Sequence, residues 1–162
     1  MKKEILFLAA LATCLSSFGQ TFEKTAQGGK FQTAQPTLNG EVIFYSPSIV
    51  RIVKYPSAEM PEKKSYPVIK TPEKVEISYK QNGNTVCMTS GKMTVTLDVV
   101  TGKVTYTDLK GETLLKEKVE GTNFIPRKDV NRDAFTVSQA FSLEPEEAIY
   151  AIRRMQLPSL HR

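Results

Sequence analysis

Along most of this chain apolar side chains recur at every second residue, and that period leaves the backbone little choice. Met93, Val95, Leu97 and Val99 alternate with Thr94, Thr96 and Asp98. A β-strand sends successive side chains to opposite faces, so such a run has one buried and one wet face, whereas a helix would scatter it around its axis. Val75, Ile77 and Tyr79 alternate in the same way with Glu76, Ser78 and Lys80. Val104 and Tyr106 stand between Lys103, Thr105 and Thr107, and Phe135, Val137, Gln139 and Phe141 between Thr136, Ser138 and Ala140. Two apolar runs, 42–45 and 49–53, add strands separated by Ser46-Pro47-Ser48. On this pattern Phe44, Tyr79, Tyr106, Phe135 and Phe141 are expected in the core.

The punctuation suits hairpins. Asn82-Gly83, Thr101-Gly102 and Lys110-Gly111 fall between strands, where glycine supplies the positive φ of a tight reversal. Asn39-Gly40 and Glu120-Gly121 are expected to mark further turns. Residues 56–72 carry Pro56, Pro61, Pro67 and Pro72 among charges and read as a loop or edge segment. Strands recurring every ~8 to 12 residues are the spacing of an antiparallel β-sandwich. One all-β sandwich domain is therefore expected over residues 20–150, with no internal repeat and no heptad. A length of 162 residues excludes a single-chain (β/α)₈ barrel, which needs roughly 200 to 250.

The first 19 residues lie outside this pattern. Lys2 and Lys3 precede an almost unbroken apolar run over residues 5–15, and Ser16, Ser17, Phe18, Gly19 and Gln20 come after it. A basic start, a short apolar stretch and small residues make a secretory signal peptide, the run being too short for the ~20 residues of a bilayer span. The protein is expected to be exported, to a periplasmic or extracellular location. Thr13 is bulky for the position before a lipoprotein cut at Cys14, so simple cleavage near Gly19 is expected over lipidation. Loss of Cys14 with the signal leaves Cys87 without a partner for an internal disulfide.

Residue usage excludes several chemistries. The one histidine, His161, is the penultimate residue, so neither Cys87 nor any serine has a histidine base built into the fold. Cys87 reads as a small filler in a strand. The net charge is +5, but basic residues alternate with acidic ones, as in Glu62-Lys63-Lys64 and Lys116-Glu117-Lys118-Val119-Glu120. No basic stripe interleaved with aromatics appears, and no nucleic-acid partner is expected. Asp129-Val130-Asn131-Arg132-Asp133 opens like a calcium loop but has Ala134 where a glycine turns the chain and Ala140 where a bidentate glutamate is required. It reads as a solvated acidic turn. Gly102-Lys103 lacks the earlier glycine and the following hydroxyl of a phosphate loop. Glu144, Glu146 and Glu147 crowd within four residues, whereas glycosidase carboxylates face each other ~5 to 9.5 Å apart across a cleft. No catalytic, cofactor-binding or metal-ligating residue is assigned, and no cofactor is expected.

Particular words of the sequence carry a resemblance. Phe44-Tyr45-Ser46-Pro47-Ser48-Ile49-Val50-Arg51 resembles the early strands of the N-terminal domain of glycoside hydrolase family 31, in the form common in Bacteroidetes. Val68-Ile69-Lys70-Thr71-Pro72 is similar to the next segment of those domains, as is the stretch from Leu97 through Thr101-Gly102 to Asp108 with Gly111, Leu114 and Leu115. Phe135-Thr136-Val137 to Phe141, then Glu147-Ala148-Ile149-Tyr150, resembles the approach to the family's Tyr-Gly-Leu-Gly-Gln signature. The resemblance implies a galactose-mutarotase-like β-sandwich from an α-glucosidase or α-xylosidase, with two catalytic aspartates on a following barrel that this chain lacks. This fragment alone is then expected to be inactive, its partners being that missing barrel and, through the parent enzyme, an α-gluco- or xylo-oligosaccharide. After Tyr150 the chain has Ala151-Ile152-Arg153-Arg154 in place of the signature's glycines, so residues 151–162 are expected to be a divergent tail that packs poorly. A free carbohydrate-binding module and an envelope structural or interaction sandwich are the other readings. Aromatics assigned to the core disfavour the first of these.

Overall fold

The computed structural model describes residues 21–34, 38–56 and 68–147. Among these residues run ten strands: β1 (Thr21–Thr25), β2 (Gly28–Gln32), β3 (Asn39–Ser46), β4 (Ile49–Tyr55), β5 (Ser78–Asn82), β6 (Thr85–Thr89), β7 (Met93–Asp98), β8 (Val104–Asp108), β9 (Thr113–Asp129) and β10 (Arg132–Ser142). They form a four-stranded sheet of order β1-β2-β3-β4 and a six-stranded sheet of order β10-β9-β8-β7-β6-β5. Every pairing is antiparallel, so each sheet is a meander, and three turns of the larger one fall where glycine marks them. Gly83, Gly102 and Gly111 have φ of 55°, 70° and 92°. Two aspartates brace these turns: Asp98 Oδ1 accepts the Val100 and Thr101 amides, and Asp108 Oδ1 those of Lys110 and Glu112. Among the described residues no helix is long and apolar enough to cross a membrane.

Phe31, Val42 and Phe44 of the smaller sheet pack with Val86, Met88, Val95, Leu97 and Val104 of the larger. These are the alternate residues of their strands, turned inward by the pleat. Two of the polar links between the sheets stand at opposite ends. The Tyr79 hydroxyl is 2.8 Å from the carbonyl of Gly28 and 3.3 Å from that of Thr25, joining β5 to the first hairpin. Lys54 of β4 reaches Glu117 of β9 at 2.6 Å. Four strands thus lie over β5 to β9, and β10 with the far half of β9 overhangs.

Several elements differ from the pattern-based expectation. Asn39-Gly40 is no turn but the start of β3. A Cβ on Gly40 would sit 2.4 Å from the Phe31 ring, so this glycine admits an aromatic ring close to the backbone. Val75 and Ile77 precede β5 without ladder partners, although Val75 is buried in the core. Glu120-Gly121 interrupts β9 as a bulge instead of ending it. Phe135 and Phe141, expected in the core, are 48% and 40% exposed, because no strand of the smaller sheet covers β10. The segments proposed as signal peptide (with Cys14) and divergent tail (with His161), and residues 57–67 of the proline-bearing stretch, lie outside the described residues.

Candidate functional site

The site grows from an irregularity in β9. This strand pairs with β8 only from Thr113 to Lys116 and then runs on with β10 alone. Between Glu117 (opposite Phe141) and Thr122 (opposite Gln139), residues 118–121 of β9 face the single residue Ala140. Extra residues in one strand are left unpaired and bend it. Glu120 takes a φ of 55°, and a Cβ on Gly121 would meet the Ala140 carbonyl oxygen at 2.6 Å. The bulge therefore needs its glycine.

Its consequence is chemical: Glu117 and Thr122, five positions apart, come round to the same ammonium group. Lys54 Nζ donates to Glu117 Oε2 at 2.6 Å and to Thr122 Oγ1 at 3.1 Å. Thr122 donates to Gln139 Oε1 at 2.6 Å, and Gln139 Nε2 donates to Glu117 Oε1 at 3.0 Å, which closes the ring. Glu117 Oε2 also accepts the Val104 amide at 2.8 Å. The Lys54 and Glu117 side chains are only 7% and 6% exposed. Charges withdrawn from water are tolerable when paired and fully hydrogen-bonded, and no buried side-chain nitrogen or oxygen among the described residues lacks a partner.

Beside this ring opens a cleft of about 300 Å³, walled by Ile52, Tyr106, Phe124, Val137 and Phe141. Burial, and after it the Glu117 carboxylate, raise the Tyr106 phenol far above its usual range, so it stays neutral. The cleft continues onto an arm made of the β9–β10 hairpin. Pro126 stands opposite Phe135 and Phe124 opposite Val137, in the same row as Thr122 and Gln139. Phe124 and Phe135 meet edge to face with centroids 6.2 Å apart. This row prolongs the core-facing side of the larger sheet past the edge of the smaller one. At the tip, Val130 has a φ of 56° and is 91% exposed.

The residues singled out in the sequence do not converge on the cleft. Cys87 lies half-buried in β6 with Sγ 3.7 Å from Thr96 Oγ1, a strand filler as expected. Asp129 and Asp133 flank the arm's turn, each beside a cation of its own: Arg127 at 3.7 Å and Lys128 at 2.7 Å. Gly102-Lys103 is a hairpin turn. Glu144 and Glu147 close an exposed turn on themselves, the Glu147 amide donating to the Glu144 carbonyl at 3.0 Å. Among the described residues no three His, Cys, Asp or Glu side chains are placed to hold a metal ion. Lys54, Glu117, Thr122 and Gln139 were not singled out by the sequence pattern. Glu117 hides in a run of alternating charges that reads as solvated surface; its pairing beside Val104 of β8 turns it inward, and the bulge brings Thr122 round to join it.

The architecture agrees with that of known proteins. The family model of the glycosyl hydrolase 31 N-terminal galactose mutarotase-like domain matches residues 40–152. The crystal structure of a family 31 α-xylosidase from Xanthomonas citri shares the fold, with a TM-score of 0.69 and 21% identity over 76% of this chain. The match spans 14% of that enzyme's chain. The chain belongs to the family of glycosyl hydrolase 31 N-terminal galactose mutarotase-like domains.

Proposed function

We propose that this chain is the non-catalytic N-terminal domain of an exported family 31 α-glycosidase, buttressing a catalytic barrel and framing its substrate pocket. Hydrolysis of α-glucosides or α-xylosides would belong to the whole enzyme, with an α-gluco- or xylo-oligosaccharide as its carbohydrate partner. The observation that carries this reading is the uncovered inner side of β9 and β10, which leaves Phe135, Val137 and Phe141 in water. Water-exposed apolar surface of that kind marks an interface. The nucleotide sequence of the locus tests it, read in all frames from codon 150 through a span that would hold a barrel of ~250 residues. A frame continuing into a family 31 barrel is expected, and its absence overturns the reading. The purified chain is expected not to cleave aryl α-glucosides or α-xylosides, and turnover would overturn the non-catalytic role.

A second reading, a free carbohydrate-binding module, draws on the cleft itself, where Phe124 and Phe141 stand beside the polar groups of Gln139 and Glu117. Apolar ring faces next to hydrogen-bonding groups suit a pyranose. Isothermal titration with α-gluco- and xylo-oligosaccharides decides it, and flat titrations at millimolar sugar remove it.

A further inference from the structure

We propose that Asn82 is a site of spontaneous deamidation, at which attack by the Gly83 backbone nitrogen turns the side-chain amide into a carboxylate, while the fold holds the chain's other Asn-Gly pair, Asn39-Gly40, inert. The reaction consumes only water. Hydroxide takes the Gly83 amide proton, the nitrogen bonds to Asn82 Cγ, and the Cγ–Nδ2 bond breaks with loss of ammonia, leaving a cyclic imide. Water then opens the imide at Cγ, giving aspartate, or at the Asn82 backbone carbonyl carbon, giving isoaspartate. Overall, an amide and water become a carboxylic acid and ammonia, and nothing is oxidised or reduced.

Glycine favours the step because it has no Cβ to hinder the close approach of its nitrogen. Asn84, Asn123 and Asn131 precede Thr85, Phe124 and Arg132 instead, whose side chains crowd that approach. Ring closure also has to rotate the asparagine out of extended backbone and needs room beside the glycine. Asn82 meets both demands. It is exposed and ends β5, where it forms the closing pair of the hairpin with Thr85. Among the described residues β5 is an edge strand of the larger sheet, paired on one side, and the last pair of such a hairpin opens at little cost. Gly83 stands outside the ladder with a φ of 55°, and nothing lies within 4 Å of where its Cβ would be.

Asn39-Gly40 puts the same two residues in the opposite setting. Asn39 is buried, and β3 lies between β2 and β4, with Gly40 facing Phe31 on one side and Lys54 on the other. A Cβ on Gly40 would already sit 2.4 Å from the Phe31 ring and 2.7 Å from the Val53 carbonyl oxygen, so an imide has no room there. Reaction at Asn39 must wait for a central strand to open on both sides, and its rate is cut to the small fraction of time the strand spends open. At Asn82 the product places a new negative charge on the β5–β6 turn. Its isoaspartyl form also adds a backbone carbon to a two-residue turn whose length fixes the register of the hairpin.

The test incubates the folded full chain in mildly alkaline buffer, with a parallel sample in guanidinium chloride, and follows each asparagine-bearing peptide by mass spectrometry. In the folded chain Asn82 is expected to gain the amide-to-acid mass shift about tenfold or more faster than Asn39, and in denaturant the two pairs should react at similar rates. Asn82→Gln, whose longer side chain closes the ring poorly, should remove the early acidic species from ion-exchange chromatography. Equal rates at Asn82 and Asn39 in the folded chain would overturn the proposal, as would an Asn82 rate no faster than that of Asn84, Asn123 or Asn131. An acidic species that persists unchanged in Asn82→Gln would place the reaction elsewhere and overturn it too. So would a preference for Asn82 that survives undiminished in denaturant, since the selectivity would then belong to the local sequence and not to the fold.

Discussion

Val130 and Tyr106 carry the two residue-scale effects that can be measured most directly. A non-glycine residue at positive φ costs roughly 1 to 2 kcal/mol, and glycine's extra backbone freedom costs roughly 0.5 to 1 kcal/mol on folding. Val130→Gly should therefore raise stability slightly, a gain of about 2 °C in melting temperature for a domain of this size. A fall of several degrees by calorimetry would mean that Val130 is packed within the domain. Tyr106 titrates far above its ordinary range because it is buried and faces Glu117. Its anion is disfavoured in the folded state, so the stability tied to the neutral phenol is fully present below the unfolded value of about 10. That stability is lost as pH rises from there toward the folded value, at up to ~1.4 kcal/mol per pH unit for one group. Burial also raises Tyr79, and burial with Glu41 raises Tyr55, so both add to the same alkaline slope. Urea denaturation from about pH 9 to about pH 11.5, a range that brackets the ordinary tyrosine value, should show falling stability, and Tyr106→Phe should flatten the fall. A slope unchanged in that variant would move the effect to other groups.

At the scale of elements, the clasp at the root of β9 sets where the arm points. Removing one member of a buried ion pair typically costs about 3 to 5 kcal/mol, because the other charge is stranded. Lys54→Met should therefore destabilise strongly. Lys54→Met with Glu117→Gln should recover most of the loss, since glutamine keeps an acceptor for the Val104 amide that Glu117 now satisfies. A double variant as unstable as the single one would show that the charges themselves are needed. This element was the least legible in the sequence. The alternation of β7 and β8 could be read directly, because each residue there meets a ladder partner and a filled core. β9 carries Lys116, Glu117, Lys118 and Glu120 in series, and local pattern assigns such a run to solvent. Which of them turns inward depends on the register against β8, and which residue joins it depends on a bulge that forms against Ala140 of the next strand.

For the whole molecule, the mismatch between four strands and six is the governing fact. The overhang leaves apolar surface open, so the isolated chain should bind a hydrophobic dye such as ANS and associate as its concentration rises. Phe135→Ser combined with Val137→Ser should reduce both effects. A wild-type chain that stays monomeric and dye-free at ~100 μM would mean that the surface is too small to matter. The sequence by itself determined the class of the fold, since a period of two with glycine turns allows only antiparallel β-structure, and side-chain alternation is a property of the local backbone. It also determined the inward residues of β7 and β8 and the place of Phe44 in β3. Only the tertiary structure decided that Phe135 and Phe141 face water, that Gly40 lies within a strand and that Glu117 lies inside. Each of these depends on what stands opposite the residue across a sheet or between the two sheets, and neighbours along the chain carry no record of that.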